Sequence, residues 1–112
     1  MTFSKKEKTA TKALFEKAKE QDYNRLIERI NNTEIKTVSD VWQLRDMLNV
    51  AAKEFDSKYD YRYSVMLENF VTFILEELIS LENLEFLSED KYQYVRNHLQ
   101  TIQQFQNKDE EK

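Results

Sequence analysis

The chain is predicted to be all-α: an elongated domain of about four helices that pairs into a symmetric homodimer. Three observations lead there. The 112 residues contain no Gly and no Pro, and the tight turns of sheet proteins usually need one or the other. Apolar residues recur at three- and four-residue spacing in several long segments. A chain this short buries a limited core, and elongated helical chains of this size often complete theirs against a second copy. Residues 1–112 are taken as one domain, with residues 1–8 and 106–112 expected to be frayed or disordered.

The first helix is predicted from about Ser4 to about Asn31. Ser4 followed by Glu7 forms a capping-box pattern. Leu14, Ala18, Leu26, Ile27 and Ile30 keep helical spacing, interrupted by Asp22. Lys5, Lys6 and Lys8 crowd the positive end of the helix dipole, so that end is expected to fray. Asn31, Asn32 and Thr33 make the first connection. The second helix starts near Thr37, with Asp40 at the capping-box position. Val41, Leu44, Leu48, Ala51 and Phe55 form a 3-4-3-4 stripe assigned to the core. Asp56 to Asp60 reads as the next connection. The third helix is predicted from about Tyr61 to Ser80. It is apolar around most of its circumference, and so central in the fold or packed on a second chain as well. Ser80 to Ser88 reads as a short helix or turn. Ser88 then caps a last helix carrying Tyr92, Val95, Leu99 and Ile102.

Composition narrows function mainly by exclusion. No Cys is present, which removes disulfides, thiolate nucleophiles and Cys-based metal sites. The net charge of −4 argues against broad affinity for nucleic acid or acidic membrane. No uncharged apolar run nears the roughly 20 residues that span a bilayer. The start of the chain is basic but lacks the apolar segment of a signal peptide, so a cytoplasmic location is expected. The single histidine, His98, sits away from any nucleophile pattern and is not preceded by Glu-x-x-His. Glu76 and Glu77 are neighbours and point in different directions. No catalytic residue, metal site or cofactor is proposed from these residues, and the expected activity is protein binding. The basic N-terminal stretch is either a solvated face or a contact for an acidic partner.

One face stands out. With the core stripe as reference and 100° per residue, Trp42 points roughly 140° away. Asp46, Asn49 and Lys53 fall on the same back face, with Arg45 at its edge. A lone tryptophan among Arg, Asp and Lys has the composition of an interface anchor. It either packs on another helix of the chain or belongs to a dimer seam or a partner surface. Trp42, Arg45, Asp46, Asn49 and Lys53 are the candidate partner-binding residues, and Val41, Trp42 and Arg45 the candidate dimer seam. Asp56, Lys58, Tyr59, Asp60 and Arg62 are the candidate turn residues leading into the third helix.

The segment SDVWQLRDMLNVAAKEFDSKYDYRYSV, Ser39 to Val65, resembles the central region of the fluorescence recovery protein family of cyanobacteria. Trp42, Leu44, Asp46 and Leu48 carry the resemblance, followed by Asp56 and Lys58 to Ser64. Ala13 to Ala18 also resembles the family's first helix. The resemblance implies a non-enzymatic, all-helical homodimer without a cofactor. Such a dimer binds photoactivated orange carotenoid protein and speeds its return to the resting form, ending photoprotective quenching. Trp42 and Asp46 match the family's functional patch. Arg45 stands where the family has His, Ala52 where it has an Arg, and Glu68 where it has an aromatic. Ser57 replaces a typical Gly in the turn. The alternative is a helical dimer of the same fold with a different, non-photoprotective protein partner.

Overall fold

The computed structural model describes residues 2–110, with side chains placed through residue 106. Four α-helices follow in order: α1 (Lys5–Asn31), α2 (Val38–Lys58), α3 (Met66–Leu75) and α4 (Glu89–Glu110). One 3-10 turn, Tyr63–Val65, leads into α3 and another, Leu81–Leu84, separates α3 from α4. No strand occurs among the described residues, and no described helix is long and apolar enough to cross a membrane.

Both predicted capping boxes are present. Ser4 accepts from the Glu7 backbone N–H while the Glu7 carboxylate accepts from Ser4 N–H. Thr37 and Asp40 make the same reciprocal pair at the start of α2. Each box satisfies two backbone donors that a helix end leaves free.

The core joins the first half of α1 to α3, the following turn and α4. Phe15 and Ala18 meet Phe70, Phe73, Val95 and Leu99 there. α3 is central, as its apolar circumference predicts. α2 is not part of this core. Of its predicted core stripe only Ala51 is buried; Leu44, Leu48 and Phe55 are half-buried and Val41 is exposed. The distal part of α1 and α2 therefore form an arm beside a packed head. The radius of gyration is 17.2 Å, against about 13 Å for a compact chain of this length.

Within the predicted frayed span 1–8, the described residues from Phe3 to Glu7 are anchored instead. Phe3 is 5% exposed, and the Glu7 carboxylate lies 3.1 Å from the Lys91 ammonium. Tertiary contacts outweigh the unfavourable lysines in the first turn. At the other end, α4 continues through the predicted start of disorder at residue 106 to Glu110; Met1, Glu111 and Lys112 lie outside the described residues. Two connections also move. Asp56, Ser57 and Lys58 belong to the last turn of α2, so Ser57 carries no left-handed strain. The third helix starts and ends inside its predicted span, stopping at Leu75 rather than Ser80.

That early stop has a local cause. Glu77 adopts φ 59°, a left-handed conformation. The Leu78 N–H reaches the Phe73 carbonyl and the Glu77 N–H reaches Ile74, the two bonds of a Schellman stop. Leu78 then folds back into the core. Arg25 donates to the Glu76 and Glu77 carbonyls at 2.6 and 2.9 Å, holding the turn against α1. A side chain in this conformation costs roughly 1–2 kcal/mol that glycine avoids, partly offset by glycine's unfolded-state entropy. Glu77→Gly is therefore expected to raise stability by about 0.5–1 kcal/mol, read as a higher urea midpoint with an unchanged slope. A lower midpoint would mean that the Glu77 side chain itself supports the turn.

A candidate protein-binding face on the second helix

α2 presents both of its sides to some degree. Toward α1, Tyr23 stacks on Phe55 with ring centroids 4.7 Å apart. Farther out, the helices diverge around a cleft of about 600 Å3 lined by Arg25, Arg29, Asn32, Asp40, Leu44 and Met47. The apolar stripe thus closes on α1 at Phe55 and faces it across a gap at Leu44.

On the opposite side, Trp42 is 52% exposed. The Arg45 guanidinium carbon lies 5.2 Å from the centre of the Trp42 ring. Arg45 also donates to the Asp46 carboxylate from Nε at 3.1 Å and from Nη2 at 3.0 Å. The predicted residues Trp42, Arg45 and Asp46 therefore form one continuous group. Asp46 holds the guanidinium plane and the indole covers its face, so the three side chains are partly ordered before any contact with another molecule. Asn49 and Lys53 are exposed farther along α2. Lys53 lines a separate groove with Glu54, Ser57, Lys58, Thr72 and Glu76.

Apolar exposure concentrates on this arm. Val38 is 66% exposed, Val41 42% and Val50 57%. Ile27 of α1 and Ile35 of the connecting loop are exposed as well. Scattered exposed apolar residues are ordinary, but their concentration on the arm that carries a half-exposed tryptophan makes α2 the candidate interaction surface.

Of the candidate turn residues, Lys58, Tyr59 and Asp60 tie the end of α2 to α1 and α3, while Asp56 is exposed within α2 and Arg62 pairs with Asp60. Lys58 Nζ donates to Asp22 at 2.9 Å and to Glu76 at 2.7 Å. The Tyr59 hydroxyl donates to the same Asp22 oxygen at 2.7 Å. Burial raises the Tyr59 phenol above its ordinary pKa, and the Asp22 carboxylate raises it further. Burial also opposes the Lys58 charge, but its bonds to Glu76 and Asp22 hold the Lys58 pKa above its ordinary value. Asp60 is paired with Arg62 through Nε at 2.8 and 2.9 Å, which lowers the Asp60 pKa. The Asp60 carbonyl accepts from Asn69 of α3.

Sequence reasoning missed Asp22, which looked like a defect in an apolar stripe. Its polar character in that row was the available signal. It also missed the partnership of Glu7 with Lys91, which no local pattern announces. His98 is exposed beside Tyr94, and Glu68 accepts from the Tyr94 hydroxyl at 2.8 Å. Among the described residues no group of His, Cys, Asp and Glu is arranged to hold a metal ion.

Comparisons with known proteins agree with this geometry. The family model described as photoprotection regulator fluorescence recovery protein matches residues 3–99. A fluorescence recovery protein of Synechocystis sp. is 32% identical over 96 residues, covering 84% of this chain and 88% of its own. The solved structure of the Fremyella diplosiphon fluorescence recovery protein superposes with a TM-score of 0.83 at 32% identity, covering 89% of this chain and 99% of that one. The Synechocystis structure gives a TM-score of 0.82 at the same 32% identity, covering 86% and 96%.

Proposed function

Because the chain belongs to the fluorescence recovery protein family of photoprotection regulators, we propose that it binds photoactivated orange carotenoid protein and speeds its return to the resting form. The observation that carries this reading is the half-exposed Trp42, covered by Arg45 and flanked by Asp46, on an arm where Val38, Val41 and Val50 are also exposed. The protein acts in this reading as a single-domain homodimer. Val41, Trp42 and Arg45 lie at the seam, and Trp42, Arg45, Asp46, Asn49 and Lys53 supply the contact surface. Pairing two arms buries the exposed valines, which the head does not reach. Regulation needs no chemical step by the binder. A protein that prefers the conformations on the way back to the resting form shifts the population toward them.

Stoichiometric addition to photoactivated orange carotenoid protein should accelerate its dark recovery. Trp42→Ala should remove most of that acceleration. Val41→Glu places a charge at the seam and should give monomer mass in solution. If both variants remain dimeric and fully active, this face is not the functional one.

A second reading is favoured by two particular residues. Ala52 lacks the planar, bidentate fork of an arginine, and the exposed Lys53 points about 100° away around the helix. Glu68 presents a carboxylate engaged by Tyr94. In this reading the same dimer acts on a different protein. An unaccelerated recovery at excess of the parent protein decides for it.

A further inference from the structure

The head carries a second surface that the arm-based reading leaves unused. Lys8, Lys12, Glu16 and Lys19 recur at four-, four- and three-residue intervals, which places them on one face of α1. They border a cleft of about 610 Å3 whose other lining residues include Phe15, Tyr59, Tyr61 and Tyr63. The aromatic floor is preorganised. Phe15 and Tyr61 meet edge to face at 4.9 Å, and Tyr61 and Tyr63 at 5.6 Å. Tyr61 remains 38% exposed, so its ring is available from solvent. The Lys8 ammonium sits 5.3 Å over the Tyr63 ring. Among the described residues, none of the three lysines forms an ion pair. This is a local reversal of charge in a chain of net charge −4.

We propose that this cleft is a docking groove for an extended acidic peptide segment of a partner protein, anchored by an aromatic side chain. Two features select that occupant. The positive charge is spread rather than focused: eleven residues of helix put Lys8 and Lys19 roughly 16 Å apart. A single small anion cannot bridge that distance, whereas about five residues of extended peptide can. The floor between the lysines is aromatic, which suits a ring packed against the exposed Tyr61 and the half-buried Tyr63. Glu16 adds a constraint. It repels a carboxylate above its own position, so acidic residues belong at the two ends of the peptide, with the aromatic near the middle.

The test uses the full chain and a fluorescein-labelled peptide, Glu-Glu-Phe-Ser-Glu, followed by anisotropy. Binding should weaken as salt rises, because exposed charges are screened. Lys8→Gln with Lys12→Gln should weaken it about five- to tenfold, as expected for losing two exposed charge contacts. Tyr61→Ala should weaken it by a comparable factor. Both changes are at exposed positions, and helical circular dichroism checks that each variant is folded. In amide NMR spectra of the parent, perturbations should cluster at Lys8, Lys12, Tyr61 and Tyr63. The proposal is overturned if no binding is seen at millimolar protein. It is equally overturned if the lysine variant binds like the parent, if Glu-Glu-Ser-Ser-Glu binds as well as the aromatic peptide, or if anionic phosphatidylserine vesicles bind and the peptide does not.

Discussion

Lys91→Met should lower the free energy of unfolding by about 3 kcal/mol, because it strands a buried carboxylate. Lys91 is 5% exposed and Glu7 6%. The Lys91 ammonium lies 3.1 and 3.3 Å from the two Glu7 oxygens and 3.0 Å from Ser88 Oγ. It also sits 5.3 Å from the centre of the buried Phe3 ring. The same carboxylate accepts from the backbone N–H groups of Ser4 and Ser88, each at 2.8 Å. One acidic side chain thus caps α1 and ties it to the start of α4. The two remaining backbone donors keep the loss near the lower end of what breaking a buried pair costs. Urea denaturation at neutral pH measures it, and a loss below about 1 kcal/mol would show that the pair does not anchor the N-terminus. The double variant Glu7→Gln, Lys91→Met should recover part of the loss, since the stranded charge is then gone.

The same group sets an acid limb. Burial alone would push the Glu7 pKa up. The Ser4 and Ser88 N–H bonds and the Lys91 charge outweigh it and bring the pKa from 4.5 down to about 2. In the folded chain Glu7 therefore stays ionised at pH values where the unfolded chain has taken up its proton. Its contribution is complete above about pH 4.5 and is lost as pH falls toward 2. Stability measured between those values should fall more steeply for the parent than for Glu7→Gln.

Asp22→Ala should cost about 2 kcal/mol and loosen the arm from the head. It removes the closer acceptor of the Tyr59 hydroxyl, which keeps only the Ala18 carbonyl at 3.4 Å, and one of two carboxylates on Lys58, and a half-buried polar group that loses its main partner carries that penalty. Lys58 retains Glu76, which limits the loss. An independent readout comes from the phenol. With Asp22 absent, one of the causes holding the Tyr59 pKa up is gone, so phenolate absorbance should appear at lower pH than in the parent. Asp22→Asn keeps an acceptor without the charge and should fall between the two. An unchanged alkaline titration would mean that Asp22 does not act on Tyr59.

The helical class and the starts of α1 and α2 are legible in local residue patterns alone. Those starts depend on hydrogen bonds between residues three apart, Ser4 with Glu7 and Thr37 with Asp40, which a chain makes wherever it lies. The sequence also places Trp42, Arg45 and Asp46 on one side of α2, because side-chain direction on a helix follows from residue number. The rest follows from long-range packing. The apolar stripe of α2 has the spacing of a core face, yet spacing does not say what stands opposite, and here it is a cleft beside α1 rather than the head. The end of α3 depended on Glu77 accepting a left-handed conformation in a chain with no glycine. Packing of Leu78 and the reach of Arg25 hold it there. Glu7 and Lys91 are 84 residues apart, and Asp22 and Tyr59 are 37 apart. A partner at that distance is set by the path of the whole chain. Local patterns carry no record of it, which is why an apparent flaw in a stripe and a lysine-rich helix start are both anchor points of the fold.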